Sequence, residues 1–292
     1  MQKISDALAR ARQELDHGSR VTHISERAGR YAEAPPVLNA ESIVYHRTRK
    51  VDVSLDLLRA RRVVSAHLPG PYVDAYKILC TQVLQKLREK EHQILAVTSP
   101  GRNEGKTLTA INLACCMASE IDQTVLLVDA NLRNPGVHRY FGLPSEPGLS
   151  EYLTQGARIE DILVNPGIGK FVILPGGRPI ANSSELLGSQ QMMQLVRELK
   201  SRYASRIVLF DLPPVLTAAD VLSFSPFTDA VLLVVEEGMT ESDRLRETMD
   251  LLASTHVVGT VLNKSRGMKS ADPFGVTIQE HDRPSRRWLW KR

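Results

Sequence analysis

One stretch of this chain, residues 93–118, restricts its fold more than any other. It contains an apolar, β-branched run (94–98), a break at Ser-Pro-Gly (99–101) and a helical pattern that begins at Lys106 and Thr107. The stretch thus predicts a strand, then a glycine-bearing loop, then a Lys-Thr pair that opens a helix. This is the order of elements in a phosphate-binding loop, or P-loop. In such a loop the backbone N–H groups and the helix N-terminus attract an anion.

The loop predicts a nucleotide site, with a structural turn as the alternative. Lys106 is expected to reach the β- and γ-phosphates, and the Thr107 hydroxyl to coordinate Mg²⁺. The strict pattern has glycine six residues before the lysine, whereas this chain has Pro100 there and Gly101 one residue later. The strand before the loop and the helix after it favour the nucleotide site. The other candidate nucleotide-binding residues are Arg102, Asn103, Glu104, Gly105 and Leu108.

Apolar runs and helical patterns alternate through the rest of the core. Candidate strands are 124–128, 171–174, 206–210, 230–235 and 257–262, and candidate helices are 74–89, 148–163 (as short helices), 185–202 and 242–253. Nearly continuous apolar strands that alternate with helices are typical of a parallel sheet buried on both faces. The sequence therefore predicts an α/β fold, a P-loop NTPase with a mainly parallel central sheet covered by helices on both faces.

Polar residues follow directly on three of the predicted strands: Asp129, Asp211 and Asn263. Because ligands of such sheets bind at the carboxyl ends of the strands, these side chains are expected beside the P-loop. The two aspartates are candidate Mg²⁺ ligands and candidate catalytic groups that activate a water or hydroxyl for attack on the γ-phosphate. Arg133 is a candidate for stabilising the transferred charge, or else faces solvent.

Two segments flank the predicted domain, which spans residues 63–266. Residues 1–16 are predicted as an amphipathic helix and 17–62 as a basic, largely flexible linker. Residues 267–292 form a basic tail that ends in RRWLWKR. Two tryptophans among basic residues suit an anionic membrane surface, and an unstructured basic tail is the equal alternative.

Composition argues against several classes of protein. The net charge of +4 invites nucleic acid, but aromatic residues make up only 5% and no nucleic-acid-binding motif is present, so no specific nucleic-acid partner is expected. Cys80, Cys115 and Cys116 lack metal-ligand spacing and are expected to be reduced thiols. The sequence shows neither a signal peptide nor a membrane-spanning run, which predicts a cytoplasmic protein.

Three motifs resemble those of the bacterial tyrosine autokinases (BY-kinases) of capsule and exopolysaccharide loci, especially the branch associated with exosortase loci. SPGRNEGKTLTAINLA resembles their Walker A segment, VLLVDANLRNPGVHRYFGL their Walker A′ segment and IVLFDLPP their Walker B segment. The similarity runs from about Val51 to Ser265. The resemblance implies Lys106 and Thr107 on phosphate and Mg²⁺, Asp129 and Asp211 around the metal, and Asn263 near the adenine.

The resemblance also implies an activity and partners. The family reaction is Mg-ATP-dependent phosphorylation of tyrosine, mostly of one copy of the kinase by another. This phosphorylation controls polysaccharide polymerisation and export. The implied partners are an inner-membrane polysaccharide co-polymerase that activates the kinase and further copies of the chain. The expected location is cytoplasmic, peripheral at the inner face of the cell membrane.

Three departures from the family pattern bear on this activity. Asn131 stands where the Walker A′ pattern D-x-D-x-R has its second acid, and an amide can neither offer a metal charge nor serve as a base. No tyrosine follows Tyr203, so Tyr31 and Tyr45 are the substitutes for the family's C-terminal tyrosine cluster. The family's oligomerisation motif E-x-x-R-x-x-R is replaced by Asp74, Lys77 and Cys80.

Two other functions fit the same fold. One is a surface-cycling ATPase like MinD and ParA, but those proteins usually carry a lysine early in the P-loop, where this chain has Gly101 and Arg102. The other is a catalytically weakened, nucleotide-dependent regulator of the polysaccharide machinery, which Asn131 and the missing tyrosine cluster favour.

Overall fold

The computed structural model describes residues 48–63, 71–120, 123–201 and 206–265. The predicted N-terminal helix, most of the predicted linker with Tyr31 and Tyr45, and the predicted tail lie outside these residues. Among the helices in the described ranges, none is both long enough and apolar enough to cross a membrane.

The described chain is built on one eight-stranded sheet. Its strands are β1 Arg49–Lys50, β2 Ile94–Thr98, β3 Thr124–Asp129, β4 Val164–Asn165, β5 Phe171–Leu174, β6 Arg206–Asp211, β7 Ala230–Glu236 and β8 Val257–Asn263. The order is β1-β4-β5-β3-β6-β2-β7-β8, and neighbours are parallel except β4 and β5. The longer strands lie where the apolar runs predicted them, whereas β1 and β4 are too short to leave a pattern.

Ten α-helices accompany the strands in the described residues. They are α1 Leu55–Ala60, α2 Pro71–Glu89, α3 Lys106–Met117, α4 Val137–Tyr140, α5 Leu149–Gln155, α6 Ile159–Ile162, α7 Ser183–Leu187, α8 Gln190–Ser201, α9 Asp220–Phe224 and α10 Ser242–Leu251.

Helices cover both faces of the sheet, which confirms the predicted architecture. Along β2, Leu95 and Val97 belong to a core shared with α2 and α3, while Ile94 and Ala96 belong to a second core shared with α8 and α9. Burial of one leucine or isoleucine side chain contributes roughly 1.5–3 kcal/mol. The two cores therefore hold β2 from both faces of the sheet.

The prediction of one long helix over 185–202 is wrong. The structure has two helices there, α7 and α8, separated by Gly188 and Ser189. The Ser189 hydroxyl accepts a hydrogen bond from the backbone N–H of Met192 at 3.2 Å, so it caps the start of α8. A glycine followed by a capping serine ends one helix and begins the next.

Two short elements, β1 and α1, lie within the range predicted as linker, and the predicted domain start at residue 63 stays a prediction. Val51 and Val53 pack against the core beneath α2 and α3, and Leu58 and Val63 are each 2% exposed. These apolar side chains are spaced among basic residues, so the composition of this range does not indicate the two short elements.

The register of the central strands places the predicted acids at one edge. In the pairing of β3 with β6, Asp129 lies opposite Asp211. In the pairing of β6 with β2, Asp211 lies opposite Val97, next to the last residue of β2. The P-loop and both aspartates therefore leave the sheet together at its carboxyl edge.

Candidate functional site

The P-loop, residues 99–105, connects β2 to α3 in a tight turn. The Ser99 hydroxyl donates to the Gly101 carbonyl at 2.7 Å, and Asn103 and Gly105 have left-handed φ values of 64° and 91°. A Cβ at position 105 would lie 2.1 Å from Asn263 Nδ2. Glycine is required there both for the backbone conformation and for the close approach of Asn263.

The first two residues of α3 converge on Asp211. Lys106 Nζ lies 3.1 Å from Asp211 Oδ1 and donates to Thr107 Oγ1 at 3.2 Å, while Thr107 Oγ1 donates to Asp211 Oδ2 at 2.7 Å. Lys106 and Asp211 are 7% and 0% exposed. Because a buried charge without a partner is costly, this ion pair holds both side chains in the site.

Asp129 lies beside Asp211 and is held by the backbone of the following loop. Its Oδ2 accepts hydrogen bonds from the N–H groups of Gly136 at 2.8 Å and Val137 at 2.9 Å. Burial, and then the negative charge of Asp211, raise the pKa of Asp129 to about 7, although those two N–H groups and Lys106 lower it. Burial and the neighbouring negative charge therefore favour the protonated form of Asp129.

Glu104 ties the beginning of the P-loop to the end of β7. It is 5% exposed, and its Oε2 accepts a hydrogen bond from the N–H of Gly101 at 2.9 Å. Its Oε1 accepts a hydrogen bond from Thr240 Oγ1 at 2.6 Å, and that hydroxyl accepts one from the N–H of Glu236 at 2.9 Å. The shape of the loop thus depends on a carboxylate inside it.

The end of β8 holds the same loop through its backbone carbonyls. Asn263 Nδ2 donates to the Glu104 carbonyl at 2.8 Å. Lys264 Nζ donates to the Asn103 carbonyl at 2.6 Å and pairs with Glu236 Oε2 at 2.8 Å. The structure places Asn263 against the loop, and its expected position near the adenine stays a prediction.

Arg133 is paired with an aspartate that sequence reasoning did not single out. Its Nε lies 3.2 Å from Asp220 Oδ1, and the Ser183 hydroxyl donates to Asp220 Oδ2. Asp220 is completely buried, while the Arg133 side chain is 43% exposed. The contact links the loop after β3 to α7 and α9, and a catalytic role of Arg133 stays a prediction.

Asn131 takes part in a turn of the loop after β3. Its Nδ2 donates to the carbonyl of Asn134 at 3.0 Å, and its backbone N–H donates to Asp129 Oδ1 at 3.3 Å. An aspartate side chain has no N–H to donate to that carbonyl. The amide therefore has a structural use at the position where the family pattern has an acid.

The structure brings together most of the predicted residues and adds several that were missed. Arg102 is exposed and Leu108 is half-buried. The added residues around the loop are Glu236, Thr240, Arg244 and Lys264. Glu236 and Lys264 stand at the ends of apolar strands, so the rule that found the two aspartates also applies to them. The other two left no signal, because only tertiary folding brings them to the loop.

The donor set suits a magnesium nucleotide. The N–H groups of the loop, the N-terminus of α3 and Lys106 supply positive charge for phosphates. The Thr107 hydroxyl and the carboxylates of Asp129 and Asp211 are oxygen ligands of the kind that Mg²⁺ takes together with substrate phosphates.

Comparison with known proteins gives similarities in both sequence and structure. No protein-family model matches the chain. The tyrosine-protein kinase YwqD of Bacillus subtilis is 29% identical over 201 residues, which cover 68% of this chain and 84% of YwqD. The succinoglycan biosynthesis transport protein ExoP of Rhizobium meliloti is 30% identical over 223 residues, covering 74% of this chain and 28% of ExoP. The chain spans between a quarter and a third of the length of several curated relatives.

Among solved structures, the kinase domain of the Escherichia coli tyrosine kinase ETK superposes with a TM-score of 0.63 at 28% identity, covering 80% of this chain and 93% of that domain. The proteins to which this chain is similar are bacterial tyrosine kinases (BY-kinases), within the P-loop NTPase fold.

Proposed function

We propose that the protein is a Mg-ATP-dependent protein-tyrosine kinase that phosphorylates itself and regulates exopolysaccharide biosynthesis and export. The observation that carries the proposal is the convergence of Lys106 and Thr107 on Asp211, with Asp129 in register on the next strand. Phosphoryl transfer requires mainly positioning and charge stabilisation, and this arrangement supplies both. The similarity to proteins named tyrosine-protein kinase supports the choice of acceptor.

Each side chain of the site has a place in this proposal. ATP supplies the phosphoryl group, and Mg²⁺ neutralises charge on its phosphates. Lys106 binds the β- and γ-phosphates, while Thr107, Asp129 and Asp211 hold the ion. The pairing of Lys106 with Asp211 keeps both charged groups positioned before the ligands arrive.

The proposed acceptors are Tyr31 and Tyr45. The tyrosines whose side chains the structure describes are Tyr76, Tyr140 and Tyr152, and all three are partly buried. Burial raises the pKa of each of these hydroxyls. A tyrosine packed in this way does not extend into an active site, which supports acceptors in the N-terminal segment.

The proposed setting is the cytoplasmic face of the inner membrane, in contact with a polysaccharide co-polymerase that activates the kinase. The similarity to ExoP, which is named a succinoglycan biosynthesis transport protein, supports a polysaccharide system. Self-association and contact of the tail with anionic lipid belong to the same proposal. In α2, the positions of the family's usual oligomerisation motif are occupied by Asp74, Lys77 and Cys80. Lys77 lies 3.9 Å from Asp74 and Cys80 is buried, so the proposed association does not depend on that motif.

The test is phosphotyrosine mass spectrometry of the full chain incubated with Mg-ATP, with and without the co-polymerase. Phosphate is expected on Tyr31 or Tyr45, and on neither in a Lys106→Ala variant. Steady ATP hydrolysis without phosphotyrosine would instead identify a surface-cycling ATPase.

A second candidate, a nucleotide-dependent regulator with little phosphotransfer, is favoured by Asn131 and its hydrogen bond to Asn134. Tight binding of Mg-ATP with neither hydrolysis nor phosphotyrosine would support it.

A further inference from the structure

A guanidinium group lies directly on the beginning of the P-loop. A Cβ added at Gly101 would meet Arg244 Nη2 at 3.0 Å and Arg244 Cζ at 3.4 Å. Gly101 is not among the residues with positive φ, so its backbone conformation does not require glycine. Its missing side chain instead leaves the space that Arg244, from the first turn of α10, occupies.

A side-chain contact just before α10 connects the start of this helix to the loop. Thr240, two residues before α10, donates to Glu104 Oε1 at 2.6 Å. Inside the helix, the Thr248 hydroxyl donates to the carbonyl of Arg244 at 2.8 Å. The bond from Thr240 therefore holds the start of α10, which carries Arg244, beside the loop.

In the part of the chain that the structure describes, the guanidinium of Arg244 has no carboxylate within ion-pairing distance. Arg246, on the same helix, pairs with Asp243. An unpaired guanidinium is a planar set of N–H donors suited to phosphate oxygens. It lies against a loop whose own carboxylate, Glu104, opposes the binding of an anion.

We propose that Arg244 binds the terminal phosphate of the nucleotide, as a second cation of the site together with Lys106. This assignment rests on the proposed nucleotide-binding function. The loop N–H groups and the N-terminus of α3 take the inner phosphates, and Lys106 approaches from the helix end of the loop. Arg244 approaches from the opposite end, at Gly101, and it offsets the charge of Glu104 there.

The test compares Arg244→Gln with Arg244→Lys and with the matched control Arg246→Gln, using calorimetry with Mg-ATP and Mg-ADP on the full chain. Loss of a charge-assisted bond to the terminal phosphate is expected to weaken Mg-ATP binding about tenfold in Arg244→Gln. Mg-ADP affinity should stay within about twofold, and Arg246→Gln should leave both affinities unchanged. Arg244→Lys, which keeps the charge, should lose less than Arg244→Gln.

A double-mutant cycle separates direct binding from a change in loop shape. Gly101→Ala places a Cβ 3.0 Å from the guanidinium and 3.4 Å from Glu104 Oε1 without backbone strain, so most of its effect on Mg-ATP affinity should disappear in the Arg244→Gln background. Additive effects, unchanged ATP affinity in Arg244→Gln, or equal losses for ATP and ADP would each overturn the assignment. Absence of Mg-ATP binding by the unaltered protein would remove the proposed function and this inference together, whereas the other outcomes leave the proposed function in place.

Discussion

The two sides of the P-loop are built on different principles. On the side of β3 and β6, Asp129, Asp211 and Lys106 are almost completely buried; Lys106 pairs with Asp211, and backbone N–H groups hold Asp129. On the side of β7 and β8, Glu236 and Lys264 are partly exposed, and they and Thr240 hold the loop through hydrogen bonds. The first side is built to carry charge for chemistry, and the second sets the shape of the loop. Substitutions on the buried side are therefore expected to have the larger effects.

The largest effect is expected from Lys106→Ala, which leaves Asp211 buried without its cationic partner. Breaking a buried pair from one side costs about 3–5 kcal/mol. Urea unfolding should show this loss, and Mg-ATP binding by calorimetry should disappear. The control is Lys77→Ala, since Lys77 and Asp74 form an exposed pair whose loss should cost less than about 1 kcal/mol. Equal losses of stability in Lys106→Ala and Lys77→Ala would contradict the expected difference between a buried and an exposed ion pair.

Asp129→Asn tests how much stability the buried carboxylate of Asp129 costs when it is ionised, measured as a function of pH. Because burial and Asp211 raise the pKa of Asp129 to about 7, the folded state binds a proton more tightly than the unfolded state. The contribution of Asp129 to stability is therefore complete below about pH 4 and is lost as the pH rises towards 7. The variant should be more stable than the unaltered protein at pH 8, by roughly 2–4 kcal/mol, and the difference should shrink towards pH 4.

Urea unfolding of both proteins in steps from pH 4 to pH 8 measures this difference. The control is Asp74→Asn, whose carboxylate is exposed and whose substitution should give a curve parallel to that of the unaltered protein. A difference for Asp129→Asn that does not change with pH would show that Asp129 is ionised throughout this range.

Thr240→Val tests the side of β7 and β8. It removes the hydroxyl that donates to Glu104 and accepts from Glu236, at an expected cost of about 1–2 kcal/mol in the free energy of unfolding. Mg-ATP affinity should fall as well, because the beginning of the loop loses its support. Thr81→Val, which removes an exposed bond within α2, is the matched control and should leave nucleotide binding unchanged.

The smallest effect on stability is expected from Asn131→Asp, which loses the bond from Nδ2 to the Asn134 carbonyl, worth about 0.5–1.5 kcal/mol. The new carboxylate restores the family's second acid, so phosphotyrosine formation should rise. Quantitative phosphotyrosine mass spectrometry measures this change. An unchanged rate would remove Asn131 as the reason for weak phosphotransfer.

Residues that act within a strand, or directly at its end, could be predicted from the sequence. The P-loop, Asp129 and Asp211 follow apolar runs, and a parallel sheet brings the ends of its central strands to one edge. Glu104 was recognised as a loop residue, but its bond to Thr240 could not be predicted, because 136 residues separate the two. The break between α7 and α8 was missed for a local reason, since Ser189 acts as a cap only when Gly188 ends the preceding helix.

The parallel sheet, the P-loop and the two strand-end aspartates could be predicted from the amino-acid sequence, because hydrophobic periodicity and strand polarity are local properties. The contacts of Glu104 with Thr240, of Arg133 with Asp220 and of Arg244 with Gly101 became visible only in the folded chain. The physical reason is that these contacts depend on how helices pack against the sheet, and packing is set by the volume and shape of both cores together.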